Sequence, residues 1–338
     1  MKRQDRMTAV AFCCLAWTVG LGGAGAMAAG TRTQAVAIRA GWNAVFLEVQ
    51  PAQPNPAAVF AGTPFDIVAT YLPTLTPVKF LSDPAEASWN EPGWAVWYAP
   101  DREDAFLTTL RAVFANRPYL VHAREAFAWR IEGTVSCRAP LWQADSFNLV
   151  GFPVDEVSPP SFAEFFAGDD AFAGGKFYRL ADGRWHRVTA AGSTRLAAGE
   201  AYWVYCDGAS THGGPLRLGG GRDESLEFGA NTDTAELRLT NVTSAPLAVT
   251  VHTVSEAGAL PLSRVETDLV NAVTTYPDLP AVYDLPDIAP GATAVLPLHL
   301  RRERMTQARQ CVLLRLATDV GAVYWVPVYA SLPAAVNN

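Results

Sequence analysis

Five histidines, at positions 122, 186, 212, 252 and 299, are the first groups to consider for acid–base chemistry, and they are scattered singly along the 338 residues. His122, His252 and His299 alternate with apolar neighbours in strand-like runs, as surface residues of half-buried strands do. His186 follows Trp185 in KFYRLADGRWHRV (176–188), where a hairpin would set it opposite Arg179 as a cross-strand partner. The G-x-S-x-G elbow of a Ser-His-Asp hydrolase is missing, as are HExxH, a P-loop and a GxGxxG placed on a strand-to-helix turn. Asp169-Asp170 offers adjacent carboxylates to a hard cation, but a calcium loop spaces its acidic ligands at alternate positions. DREDAF (101–106) reads as a helix N-terminus whose acids favour the dipole, and LRRERMTQAR (300–309) as a solvated connection between strands. No catalytic residue, metal site or cofactor is expected, and the chain is read as a non-enzyme.

The aromatic residues are more suggestive. SWNEPGWAVWY (88–98) concentrates Trp89, Trp94, Trp97 and Tyr98, with Asn90 and Glu91 between them. Exposed rings give sugars an apolar platform and nearby amides and carboxylates bond their hydroxyls; Trp185 on its hairpin would extend such a platform. Large rings equally fill small β-rich cores, because they bury so much area. In an unbroken strand Trp94 and Trp97 point to opposite faces, so one platform could not use both.

These residues must be positioned by elements, and the elements are written twice. GWNAVFLEVQP (41–51) is echoed by SFNLVGFPVDE (146–156), each with an aromatic, an Asn and an apolar run. Both faces of GWNAVFLEV are apolar, which predicts a strand covered on both sides. An Asn beside the aromatic in each copy predicts a lock on its own local backbone. NPAAVFAG (55–62) and PPSFAEFFAG (159–168) then read as short Pro-started helices, and NRPYLVHA (116–123) and GEAYWVYC (199–206) as closing strands. Asn43 to Tyr119 spans 76 positions against 54 for Asn148 to Tyr202, so the first copy carries an insertion, placed around residues 82–100. Asp182-Gly183 predicts a two-residue hairpin turn that pairs Leu180 with Trp185.

GGPLRLGGGRDE (213–224) breaks the pattern, and alternating strands such as AELRLTN, PLAVTVHT and TAVLPLHL follow it. LTNVTSAPLAVTV with the later DIAPGATAVLPLHL resembles the Ig-like sandwich modules of secreted bacterial proteins, which implies spacing or adhesion and no chemistry. The GWN and G-x-AYWV phrases resemble a repeat of secreted, largely uncharacterised bacterial proteins. The first copy departs from it where Glu48 replaces a usual Pro and NRPYLV replaces GEAYWV. That resemblance carries no catalytic residue.

Lys2, Arg3 and Arg6, the uncharged stretch Thr8 to Leu21, and Ala26-Met27-Ala28 form the pattern of a signal peptide over residues 1–28, cleaved before Ala29. The chain carries a formal charge of −7, and losing three basic residues and Asp5 with the leader makes it more acidic still. Nucleic acid and anionic lipid are poor partners for such a chain. Cys137, Cys206 and Cys311 remain, an odd number for an oxidising compartment; they allow a Cys137–Cys206 disulfide or buried thiols. The expectation is a mainly β protein: repeat one over 36–140, repeat two over 141–218, packed as one pseudo-symmetric domain, and an Ig-like β-sandwich over 225–332. Its expected role is a secreted or cell-envelope interaction component, extracellular or periplasmic, with a protein partner and no membrane insertion after leader cleavage. The alternative is a glycan-binding protein using Trp89, Asn90, Glu91, Trp94, Trp97 and Trp185.

Overall fold

The computed structural model describes residues 30–72, 89, 93–220, 225–254 and 260–333; the expected leader, residues 1–28, lies outside them. The chain is mainly β, a duplicated β-rich repeat with short helices followed by an Ig-like β-sandwich.

The first copy comprises β1 (Thr31–Ile38), β2 (Gly41–Leu47), β3 (Gln50–Pro51), α1 (Pro56–Val59), β4 (Phe65–Tyr71), β5 (Trp94–Tyr98), β6 (Arg117–Ala123) and β7 (Phe127–Thr134). The second comprises β8 (Ser146–Gly151), α2 (Phe162–Phe165), β9 (Phe177–Ala181), β10 (Arg184–Arg187) and β11 (Ala201–Cys206). Each forms an antiparallel four-stranded sheet, β2-β6-β4-β5 and β8-β11-β9-β10, so the strands correspond one to one. The register corresponds too, with Val45 opposite Tyr119 and Val150 opposite Tyr202. A separate ribbon, β1-β7-β3, covers the first copy.

Side-chain chemistry explains why the two phrases keep the same residues. Asn43 donates to the carbonyls of Arg39 (2.8 Å) and Gly41 (3.0 Å) and accepts from the Arg39 N–H (3.0 Å). Asn148 makes the same three bonds, to the Gln143 carbonyl (3.0 Å), the Ser146 carbonyl (3.0 Å) and the Gln143 N–H (2.8 Å). The Tyr119 and Tyr202 hydroxyls each accept from a backbone N–H five residues upstream, at Phe114 (2.8 Å) and Ala197 (2.7 Å). Truncating either Asn orphans backbone groups, which costs about 1–3 kcal/mol. Asn148→Ala is expected to lower the urea midpoint more than Asn43→Ala, because Asn148 is the more deeply buried of the two.

The short helices form where their caps allow. Asn55 accepts from the Ala57 N–H with Pro56 in the first turn, and Ser161 forms a reciprocal capping box with Glu164. Asp182 and Gly183 both take positive φ, 50° and 73°, as the predicted turn requires, and Leu180 faces Trp185 while Arg179 faces His186. The Arg179 guanidinium turns away to grip Glu200 at 2.6 and 2.8 Å.

The insertion overlaps the expected stretch but ends before WAVWY. Residues 72–93 join β4 to β5, whereas a two-residue turn joins β9 to β10, so the extra length precedes WAVWY. Trp94 pairs with Tyr71 as Trp185 pairs with Leu180, which makes β5 a strand common to both copies. A sheet of this order needs that edge strand, and the apolar WAVWY supplies it.

The two sheets pack face to face. Ala44, Phe46 and Ile67 of the first copy meet Phe147, Leu149 and Trp203 of the second. The approach is close at Gly151, where an added Cβ would lie 2.2 Å from the Phe46 side chain. The opposite faces carry separate cores, with Val45, Leu47, Val68 and Trp129 in one and Phe162, Phe165, Phe177 and Tyr202 in the other. Coverage on both sides is what the uniformly apolar β2 encodes.

The sandwich comprises β12 (Leu216–Gly219), β13 (Leu226–Gly229), β14 (Thr234–Asn241), β15 (Val249–Val254), β16 (Leu262–Arg264), β17 (Glu266–Asp268), β18 (Val273–Thr275), β19 (Val282–Asp284), β20 (Thr293–Leu300), β21 (Arg309–Thr318) and β22 (Val323–Ser331). Its sheets run β12-β14-β20-β16 and β13-β22-β21-β15-β19, and β17 and β18 form their own hairpin. Residues 216–218, assigned by sequence to the second repeat, belong to β12, which pairs with β14 and is an edge strand of the sandwich. Leu237, Leu239, Val249, Val251, Leu296 and Leu298 fill its core, following the alternation of the sequence. Leu313 joins the first copy's core and Ala322 the second's, so the β21–β22 side rests on both repeats.

Candidate interaction surface

The tryptophans considered as one ligand platform occupy three places. Trp97 is 6% exposed and packs in the first copy's core, 5.0 Å from the Phe60 ring. Trp94 and Trp185, half-buried, sit at equivalent strand positions and flank Trp203 at 6.4 and 6.2 Å. Trp89, also half-buried, lies against Trp42 at 5.3 Å and near Tyr98 at 6.3 Å. Asn90 and Glu91 lie outside the described residues. Trp203, which gathers Trp94 and Trp185 between the copies, was visible in the sequence only as the centre of AYWVYC.

Sequence reasoning missed a charge network at one end of the same interface. A bulge in β4 between Phe65 and Ile67 sets Asp66 out of the ladder. His122 Nδ1 lies 2.6 Å from Asp66 Oδ1 and donates to it, while Arg102 donates to Oδ2 at 3.3 Å. Arg102 is held by Asp104 at 2.7 and 2.8 Å, and Arg124 by Asp101 at 2.6 and 2.7 Å. Their hydrogen bonds lower the Asp104 and Asp101 carboxyls below the usual range. DREDAF therefore differs from its expected role: its helix is one 3-10 turn, Ala105–Leu107, and Asp101 and Asp104 serve arginines. The His122 ring meets Trp42 edge-on at 5.1 Å.

A buried ion pair lies where both repeats meet the sandwich. Arg32 bonds Glu48, whose backbone N–H donates to Gln34 Oε1 at 2.8 Å. Desolvation pushes the Glu48 carboxyl up to about 7 against the pull of Arg32, with Glu156 adding to the rise. Arg32 also stacks over Trp325 at 4.6 Å, and Arg315 bonds Asp155 at 2.7 Å across the adjoining cleft of about 290 Å³.

The considered Cys137–Cys206 disulfide does not form; both side chains remain thiols. The two lie in different cores. Cys206 is buried among the aromatic residues of the second copy, and Cys137 packs on the sandwich. Burial pushes the Cys206 thiol up to about 11, helped by Asp169, Asp145 and Asp207, which makes it a poor nucleophile.

LRRERMTQAR is more than a solvated connection. Arg302 bonds Asp233 at 2.8 Å and the Thr232 carbonyl at 2.7 Å, tying strand ends together.

The least covered part of the described chain is one side of the sandwich. Every residue from 266 to 276 is exposed, so β17 and β18 project as an arm. At its tip Leu269 and Val270 are 88% and 93% exposed. The tip is ordered by Asp268, whose carboxylate accepts from the Val270 N–H (2.8 Å), the Asn271 N–H (3.1 Å) and the Asn271 side chain (2.6 Å). At the foot of the arm a groove of about 480 Å³ opens between the sheets, with Val265, Leu285, Ile288 and Val295 among its walls. Among the described residues no helix is long and apolar enough to cross a membrane.

No protein-family model matches the chain, and no curated protein matches it. Among solved structures it is similar to the YadV chaperone, with 10% identity and a TM-score of 0.25 over 37% of this chain and 55% of that one. The periplasmic chaperone SfaE gives 7% identity and a TM-score of 0.23 over 36% and 59%. The secreted serine protease VesC from Vibrio cholerae gives 11% identity and a TM-score of 0.23 over 90% and 71%. The chain spans little more than half the length of the two chaperones.

Proposed function

We propose that this chain is a non-catalytic interaction protein of the cell envelope or extracellular space, which binds a partner protein through the open side of its sandwich. The observation that carries this reading is the projecting arm with Leu269 and Val270 at an ordered tip. Apolar side chains held in water on a preorganised turn lose little entropy on docking and gain the whole of their burial. The rest of the molecule supports a rigid platform behind that arm, because the sandwich rests on the cores of both repeats. The glycan alternative is the less favoured reading, because Trp97 is in the core and Trp94 and Trp185, half-buried, pack on Trp203, so that among the described residues the rings of the considered platform are dispersed.

A photo-cross-linking amino acid at position 270, compared with one at exposed position 236, tests the reading in cell-envelope extract. One defined protein adduct is expected from 270 and none from 236. Leu269→Ser with Val270→Ser should abolish binding to the identified protein while leaving the thermal midpoint unchanged. Equal labelling from both positions would refute the assignment.

A further inference from the structure

We propose that the outer edge of β10 is a second interaction surface, separate from the arm, on which a partner protein lays an extended, acidic segment as an added strand. β10 ends its sheet, with β9 on one side and no strand on the other. Val188 N–H donates to the Phe177 carbonyl at 2.8 Å, which continues the ladder of β10 on β9. Residues of an antiparallel strand bond alternately to either side, so Arg184 and His186 face β9, and the N–H and C=O groups of Trp185 and Arg187 face out. Among the described residues no hydrogen bond reaches those outward groups.

The duplication shows what such an edge accepts. β5 is the matching strand of the first copy, with Trp94 in the place of Trp185 and Val96 in that of Arg187. There the chain covers the edge itself. Val96 N–H donates to Thr109 Oγ1 at 2.9 Å and Tyr98 N–H to Thr108 Oγ1 at 3.2 Å. The Val96 carbonyl accepts from the Thr109 and Leu110 N–H groups at 2.7 and 2.9 Å. Residues 99–116 join β5 to β6 and have the length to fold back in this way. The shorter link between β10 and β11, residues 188–200, is drawn onto α2 instead, where the Ala191 and Thr194 carbonyls accept from Ala163 and Phe162 at 3.0 and 3.1 Å. The second edge keeps the same outward groups and receives no cover from its own link.

Charge selects the occupant. Arg184, His186 and Arg187 are exposed, and neither arginine has a carboxylate partner among the described residues. Across the ladder Arg179 is held by Glu200, and Asp182 in the turn is the one acid of the hairpin. A second copy would set a like-charged edge against this one, which disfavours self-pairing. A strand bearing carboxylates is complementary to it, and its main chain supplies the donors and acceptors that the outward groups lack.

The probe is a fluorescein-labelled octapeptide of alternating valine and glutamate, read by fluorescence polarisation on the full chain. Saturable binding is expected, about tenfold weaker when lysines replace the glutamates. The same sequence N-methylated at every residue keeps its side chains but loses every main-chain donor, and its binding should disappear. Arg187→Ala should weaken the glutamate peptide several-fold through charge alone. Arg187→Pro also removes an outward N–H and should abolish binding. Proline is tolerated where an edge N–H faces solvent, so the thermal midpoint of that variant should stay near the parent's. Leu269→Ser with Val270→Ser should leave the peptide bound, because the arm is a different surface. No saturable binding, equal binding of the lysine or N-methylated peptide, or parental binding by Arg187→Pro overturns the inference. A concentration-dependent dimer in sedimentation that Arg187→Pro abolishes would assign the edge to a second copy and overturn it as well.

Discussion

Trp203→Ala is expected to lower the unfolding free energy by about 3–5 kcal/mol, the cost of deleting a large buried aromatic. Trp203 is fully buried at the centre of the contact between the two sheets. Tyr71, Trp94 and Trp185 surround it at 5.3, 6.4 and 6.2 Å, so no single neighbour could close the resulting void. Its indole Nε1 has no hydrogen-bond partner among the described residues, which makes the loss one of packing alone. Trp203→Phe should therefore recover much of the stability, because it restores ring volume and removes an unsatisfied polar atom.

Trp97→Ala provides the comparison. Trp97 lies in a core belonging to the first copy, so its truncation loosens one module. Trp203→Ala removes the packing that joins two modules. In urea, far-ultraviolet circular dichroism should show the transition broaden or split for Trp203→Ala, while Trp97→Ala shifts a single transition. A Trp203→Ala midpoint within error of the parent would mean that the copies do not depend on this contact.

The parts of this architecture legible in the sequence are those fixed by local chemistry. The Asp182-Gly183 turn, the Asn43 and Asn148 locks and the alternating leucines of β14 and β20 each depend on a few adjacent residues, and each appears as expected. Duplication was legible because one chain offered an internal comparison. The Asp66–His122 pair was not, since it needs a bulge in β4 and joins residues 56 positions apart. WAVWY was misplaced because a strand and an insertion of similar composition read alike until the opposing strand is known. The thiols were also beyond reach of spacing: Cys137 and Cys206 both fall within the duplicated region, residues 36–218, but pack in different cores. The open side of the sandwich was invisible for a related reason, since exposure of Leu269 and Val270 is a property of the arm's projection and not of their type.

Glu48→Gln should remove a pH-dependent loss of stability that the parent shows between about pH 4.5 and 7. In the sequence Glu48 stood out only as a departure from a repeat pattern. In the structure it is a buried carboxyl paired with Arg32, with Gln34 on its backbone and Glu156 the second acidic influence. Arg315 and Asp155, also facing the cleft, pair with each other. Burial depresses the Arg32 guanidinium as it raises the Glu48 carboxyl, so mutual attraction does not offset the desolvation of either charge. The folded carboxyl, near 7, stands above its ordinary value of 4.5. Below pH 4.5 both states hold the proton and this contribution to stability is complete. As pH rises toward 7 the unfolded chain releases the proton while the folded chain keeps it, so stability falls. Above 7 the contribution, on the order of 3 kcal/mol by linkage, is gone. Glutamine fixes the uncharged form. The difference between the parent and Glu48→Gln denaturation curves should therefore be small near pH 5 and grow in favour of the variant up to pH 8, with other titrating groups cancelling. A difference that is constant with pH would show that Glu48 titrates at its ordinary value, and one of opposite sign would show that Arg32 more than compensates for its burial.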